Sequence, residues 1–169
     1  FLNYTFNGMK EKKLTYTLEE ATRLLEGYCV YQDRCHAEVE QKLRSIHMIP
    51  AAIEKITLHL FENNFLNEER YAKSFARGKY KIKKWGRKKI ERELSVNGIS
   101  AYNIRTGLLE IDQETYQANL LALTEKKYAE LGGKKSPDNR RKLFSYLLQK
   151  GYESDLIYEV LSKFVVDEN

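Results

Sequence analysis

Proline is nearly missing from this chain: Pro50 and Pro137 are the only two in 169 residues. Little therefore interrupts a helical reading of the stretches between them. Cysteine is equally scarce. Cys29 and Cys35 lie six apart, which is neither a disulfide framework nor a metal-ligand spacing. On helices that spacing is about 600° of turn, so the two would occupy different faces. They read as two buried intracellular thiols. No apolar run approaches the ~18 residues needed to cross a bilayer. No signal-peptide pattern is present either, so the cytoplasm is the expected compartment. The chain begins at Phe1 without a methionine and is expected to be a fragment.

Catalytic signatures are lacking too. No P-loop, zinc signature or dinucleotide fingerprint occurs. His36, His47 and His59 are spaced eleven and twelve apart with no nucleophile pattern beside them. Cys35 and His36 are adjacent, which on a helix sets them about 100° apart and badly placed to bond. The acidic pairs Glu38/Glu40, Glu68-Glu69 and Glu91/Glu93 stand among basic residues, as solvated helix surfaces do. The expectation is a protein that is not an enzyme, with no cofactor and no metal.

Charge of one sign is also absent from both ends. Residues 1–65 carry 8 basic and 9 acidic groups, and residues 112–169 carry 9 and 10, so each sums to −1. Residues 66–111 carry 12 and 5, so the middle holds +7 and accounts for the overall +5. A localised field of this kind is an argument about partners, not about fold.

The patterning is helical. Thr17 with Glu20 forms a capping box before a face of Leu18, Ala21, Leu25 and Tyr28. Ser136 followed by Pro137 opens another helix, on which Phe144, Leu147 and Leu148 fall at helical spacing; Gly132-Gly133 closes the helix before it. A weak internal repeat runs through this pattern. Val39, Leu43, Met48 and Ile53 align with Ile90, Leu94, Ile99 and Ile104 at an offset of 51, and these with Leu143, Leu147, Tyr152 and Ile157 at 53. Gly98-Ile99 and Gly151-Tyr152 read as helix ends in which glycine takes the left-handed conformation and the next apolar residue folds back. Ser100 and Ser154 then help to start the following helices. His47 stands where the other copies have glycine, at some conformational cost. The predicted fold is all-α, an elongated array of three tandem three-helix repeats at 14–65, 66–111 and 112–169. Residues 1–13 form an N-terminal remnant whose β-prone "FLNYTF" is read as a short strand lacking its partner.

The middle charge concentrates further. Between Arg77 and Arg92 stand Arg77, Lys79, Lys81, Lys83, Lys84, Arg87, Lys88, Lys89 and Arg92, against Glu91 alone within the stretch from Gly78 to Lys89 and its flank up to Arg92. Asn67 caps a helix whose stripe is Tyr71, Phe75, Gly78 and Ile82. Gly86 then breaks the chain, and a second helix turns Ile90 and Leu94 inward. Intrahelical pairs neutralise little: Glu93 can meet Lys89 or Arg92, and Glu91 can meet Arg87 or Lys88. A solvated face is the bland alternative. A surface retaining this much repulsion better suits a polyanionic partner, either nucleic acid through counterion release or an acidic protein. Trp85 and Tyr80 are candidates to stack on unpaired bases, and Trp85 equally suits ordinary core. Nothing resembles base-specific readout in the major groove.

The segment "FLNEERYAKSFARGKY…KWGRKKIERELSVNGIS" resembles the RecX family, regulators of the RecA recombinase. The resemblance is carried by Phe65, Leu66, Asn67, Glu68, Glu69, Arg70, Tyr71, Ala72, Phe75 and Arg77, then by Gly86, Arg87, Lys88, Ile90, Glu93, Leu94, Gly98 and Ile99. It extends over about residues 14–165, specifically in the middle repeat and more loosely in the outer two. Departures are Cys35-His36, where the family more often has a basic-Ser pair, the missing glycine at 47, and a longer turn at Gly132-Gly133. The resemblance implies three-helix repeats and a non-enzymatic inhibitor of RecA. Such a protein lies in the groove of the RecA–DNA filament and limits its ATPase, strand exchange and co-protease activity. The implied partners are that filament and single- or double-stranded DNA directly, with no membrane, and the protein is expected to be a monomer. The expected contacts are Arg77, Lys79, Lys81, Lys83, Lys84, Arg87, Lys88, Lys89 and Arg92, with Tyr80 and Trp85 as stacking or anchoring groups. The alternative is a general single-stranded DNA-binding helical module; a third reading is a scaffold with no polyanion partner.

Overall fold

The computed structural model describes residues 15–164. The expected N-terminal strand lies outside them. Among the described residues there are nine helices and no strand: α1 (Leu18–Tyr31), α2 (His36–Ser45), α3 (Pro50–Glu62), α4 (Glu68–Ile82), α5 (Arg87–Val96), α6 (Ala101–Leu108), α7 (Gln113–Glu130), α8 (Pro137–Lys150) and α9 (Ser154–Phe164). The starts follow local chemistry. Thr17 and Glu20 close the capping box on α1, and Asn67, Ser100, Asp112 and Ser136 each accept a backbone N–H from three residues on. Pro50 and Pro137 occupy first helical positions, where no N–H is missed.

α1–α3, α4–α6 and α7–α9 each pack among themselves. One turn recurs in all three groups. Met48, Ile99 and Tyr152 donate their N–H to the carbonyls of Leu43, Leu94 and Leu147 at 3.1, 3.1 and 3.2 Å. This 6→1 bond marks a Schellman end, whose preceding residue must be left-handed. That residue is His47 (φ 62°), Gly98 (φ 77°) or Gly151 (φ 91°). The offsets of 51 and 53 seen in the sequence thus coincide with the same hydrogen bond in three places.

The apolar cores divide less evenly. One cluster holds Ala21, Leu25, Cys29, Val39, Leu43, Ile53, Ile56, Leu60 and Leu66. A second runs continuously through α4–α9 and takes in Cys35 from the α1–α2 linker. Both thiols are buried, and burial raises both above the ordinary thiol range. The helix stripes are shifted from the sequence expectation. On α4 Ile82 is 77% exposed; the buried positions are Tyr71, Ala72, Ala76 and Tyr80. On α1 the buried set is Ala21, Leu25 and Cys29, and on α8 Leu143 and Leu147 are buried while Leu148 is exposed.

The α4–α5 corner meets the α8–α9 turn backbone to backbone. Gly86 N–H donates to Lys150 O at 2.8 Å, and Lys88 N–H donates to Gly151 O at 3.0 Å. A Cβ built on Gly86 would fall on the Gly151 carbonyl, and one on Gly151 would fall on Lys89. Gly107 is similarly pressed on Ala72 of α4, whose carbonyl would lie 2.8 Å from an added Cβ. Gly86→Ala is expected to cost about 3 kcal/mol, the upper end for overpacking, because the obstacle is backbone. Gly98→Ala meets no atom within 4 Å and carries only its positive φ, so about 1 kcal/mol is expected. Urea unfolding of the two variants checks the order; equal losses would contradict it.

Candidate functional site

The charged stretch folds around the α4–α5 corner. α4 stops at Ile82; Lys83 caps it, and Lys84 turns left-handed at φ 52°. A non-glycine there needs external support. Asn119 on α7 supplies it: this buried side chain accepts from Lys84 Nζ and donates to Tyr80 O at 3.0 Å. Tyr152 Oη donates to Lys84 O at 3.3 Å. Lys84, read from the sequence as a contact group, is therefore half-buried and committed to holding the corner.

Tyr80 is corrected outright. It is 2% exposed and sits in the core, so it offers no ring to a base. Trp85 packs against the core but is only half-buried. Phe75 meets it edge-on at 6.5 Å, while the ammonium groups of Lys79 and Lys89 lie 5.0 and 4.4 Å from its ring centroid. Arg87 fastens the corner to the third group of helices. Its guanidinium lies 4.1 Å from the Tyr116 ring centroid, donates to Gln113 Oε1 at 2.8 Å and pairs with Glu153 Oε1 at 3.5 Å. Tyr116 Oη accepts from Arg87 N–H at 2.9 Å and donates to Glu153 Oε2 at 2.7 Å.

The remaining cations separate by partner. Arg77 is held by Glu110 at 2.8 Å, Lys88 faces Glu91 at 3.8 Å, and Arg92 faces Glu93 at 3.4 Å. The last two are the kind of local pair expected from spacing. Glu110 and Glu153 come from outside the stretch and have no signal in it. Among the described residues Lys79, Lys81, Lys83, Lys84 and Lys89 make no ion pair with a carboxylate. These five surround Trp85 in sequence, and Lys81 and Lys83 are exposed. The site is thus narrower than nine cations: an uncompensated lysine cluster at one corner, edged by weak surface pairs that cost little to break. Lys81 also lends positive charge toward Asp112, whose carboxyl is held below its usual range first by hydrogen bonding with Thr115 and then by Lys81. On the other edge of α4, Lys79 and Lys83 border a groove with Gln32, Asp33 and Glu38 from the first group.

Arg70 joins the first group to the second. Its Nε donates to Asp33 at 2.7 Å, and its Nη1 and Nη2 donate to the carbonyls of Asn64 and Phe65 at 3.1 and 3.0 Å. Cys35, in the α1–α2 linker, is packed into the core of the second group, and Asn97 donates to Tyr71 Oη at 3.1 Å. Among the described residues no group of three or more His, Cys, Asp or Glu is placed to hold a metal, and no helix is long and apolar enough to cross a membrane.

The described residues thus form an all-helical protein of three-helix groups, the second and third docked through the Gly86 and Gly151 turns, with a lysine corner on the second. The family models that match are the second three-helix domain of RecX over residues 67–108 and the third over residues 114–161. The chain is 34% identical over 128 residues to the regulatory protein RecX of Clostridium botulinum, covering 75% of this chain and 59% of that protein. It is 30% identical over 147 residues to the regulatory protein RecX of Clostridium beijerinckii, covering 86% and 66%. The chain thus spans about two thirds or less of the length of these relatives. The crystal structure of RecX from Lactobacillus salivarius superposes with a TM-score of 0.73 at 25% identity, over 87% of this chain and 96% of that one. A second RecX crystal structure, at 19% identity, shares the fold with a TM-score of 0.74, over 86% and 73%. The chain belongs to the RecX family, whose named members are regulatory proteins.

Burial pushes the phenols of Tyr71, Tyr116 and Tyr152 well above the usual phenol range. The stability tied to their neutral forms is complete below the ordinary phenol pKa of about 10 and is lost as pH rises above it. An ultraviolet titration followed alongside circular dichroism should find these three of the 12 tyrosines un-ionised until the helices melt. Ionisation of all of them with helix content intact would contradict the burial described.

Proposed function

We propose that this chain is a non-enzymatic modulator of the RecA recombinase. It lies in the groove of the RecA–DNA filament and limits ATP hydrolysis, strand exchange and co-protease activity. The observation that carries the reading is the lysine corner around Trp85, where Lys79, Lys81, Lys83 and Lys89 keep their charge uncompensated while Lys84 helps to lock the backbone to the third group of helices. A fixed cationic corner loses little conformational entropy on meeting a polyanion. Membership of the RecX family supplies the identity of the filament. The protein acts in this reading as a monomer in the cytoplasm, with units at 14–65, 66–111 and 112–169.

A general single-stranded DNA-binding module is the second reading, favoured by the half-buried Trp85 ring at the corner. The two separate on stoichiometry. At saturating single-stranded DNA, the chain should inhibit the RecA ATPase well below the amount needed to coat the DNA; inhibition only at coating amounts would mean competition for DNA and would overturn the first reading. If about four to five phosphates are neutralised on a single strand, log affinity should fall against log salt with a slope of roughly −3. The triple variant Lys81→Glu, Lys83→Glu, Lys88→Glu uses exposed side chains outside the core. It should keep wild-type helix content, bind the filament at least tenfold more weakly and flatten the salt slope by about 2. Wild-type affinity and slope in that variant would leave only a solvated surface.

A further inference from the structure

The cationic surface does not end at the α4–α5 corner. Lys150 closes α8, and its carbonyl accepts the Gly86 N–H at 2.8 Å. Its ammonium lies 5.6 Å from the ring centroid of Tyr146, one turn back on the same helix. From α7, Lys127 Nζ lies 5.4 Å from that centroid. Lysines from two helices thus share one half-buried ring, as Lys79 of α4 and Lys89 of α5 share Trp85. The two units adjoin: Lys89 stands hard against Gly151, the residue after Lys150.

Net charge conceals the second unit, because residues 112–169 sum to −1. The face around Tyr146 is nevertheless positive. An open trough of about 420 Å³ between α7 and α8 is lined by Lys127, Arg141, Lys142, Ser145, Tyr146 and Gln149, among others. Lys142 and Arg141 both reach the single carboxylate of Asp138, at 2.6 and 3.0 Å, and hold it below its usual range. Lys127 meets Glu130 at 3.1 Å. Lys150 makes no ion pair with a carboxylate among the described residues. Among these groups four cations stand against two carboxylates, in surface pairs that cost little to break.

The repeated unit points to the occupant. Cation–aromatic attraction is weak at exposed sites, so a phosphate can draw Lys127 and Lys150 off the Tyr146 ring. That bares a flat apolar face between two ammonium groups, on which an unpaired base can stack while its phosphates take the charge. A carboxylate surface would use the lysines and leave the ring idle. A duplex keeps its bases stacked on one another and offers none to the ring. Two ring-and-lysine units side by side match a polymer that repeats one anion and one ring per residue.

We propose that the Tyr146 trough is a second subsite for a single nucleic-acid strand, which crosses the glycine seam from the Trp85 corner onto α7 and α8. The inference rests on the reading of that corner as a polyanion site, and it adds the third group of helices to the binding surface.

The test titrates the full chain with a fluorescein-labelled single strand of about 16 nucleotides over a series of salt concentrations. The double variant Lys127→Gln, Lys150→Gln removes two charges and keeps side-chain length. It should weaken binding at least fivefold and flatten the salt slope by about 1.4. Tyr146→Leu keeps an apolar side chain but has no ring. It should weaken binding at least fivefold with the slope unchanged, and Tyr146→Phe should restore wild-type affinity. A tyrosine with only a packing role would not separate affinity from slope in this way. Wild-type affinity and slope in the double variant would overturn the second subsite and leave the corner standing. Absence of salt-dependent binding by the unmodified chain would overturn both. Weakened binding to the RecA filament with oligonucleotide affinity unchanged would assign the trough to an acidic protein surface and overturn the proposal. An equal loss by Tyr146→Leu on a duplex of the same length would overturn the stacking of an unpaired base.

Discussion

The backbone contact between Gly86 and the Gly151 turn fixes how the second and third groups of helices meet. Two main-chain hydrogen bonds cross from the α4–α5 corner to the end of α8, at 2.8 and 3.0 Å, an approach with no room for a Cβ on Gly86 or Gly151. Main-chain groups have no rotamers to lose, so this joint fixes direction as well as distance. Around it gather Arg87, Tyr116, Glu153, Asn119 and Tyr152, each bonded across the same seam. The seam explains why a single apolar core runs through α4–α9. It also explains how Lys84 tolerates a left-handed backbone beside four other lysines.

Electrostatics and packing cooperate at that corner. Cations that reach a carboxylate are drawn out of the polyanion-facing set: Arg77 goes to Glu110, and Arg87 to Glu153. Lys88 and Arg92 make only weak local pairs with Glu91 and Glu93, Lys84 is held by Asn119, and the other lysines find aromatic faces or solvent. Lys79 and Lys89 share the Trp85 ring, an attraction that is weak at exposed sites and leaves the positive charge unneutralised. The corner can therefore be both well ordered and strongly positive, two properties that direct salt bridges would set against each other.

Much of the fold was legible in the sequence because it rests on local rules. The caps at Thr17, Asn67, Ser100 and Ser136, the closing pair Gly132-Gly133 and the recurring turn at 47, 98 and 151 all express the conformational preferences of one or two residues. Helix faces were read less well. Ile82 fits the stripe by spacing but belongs to the last turn of α4, where no neighbour covers it, and Tyr80 takes the inward place instead. Gly86 was recognised as a break in the helix, yet its purpose depends on a turn 65 residues later and has no local signature. The same holds for Asn119, Glu110 and Glu153, which decide which cations remain free.

The two cores carry a consequence for how the molecule comes apart. The cluster of α1–α3 and the cluster of α4–α9 are distinct apolar cores, bridged by Cys35, which packs into the second, and by Arg70, which bonds Asp33 and the carbonyls of Asn64 and Phe65. Each core is built mainly from its own helices, so the described residues are expected to unfold as two cooperative blocks of unequal size. The smaller can open while the larger keeps its shape, giving amide protons in α1–α3 a shorter lifetime against deuterium than those beside the glycine seam.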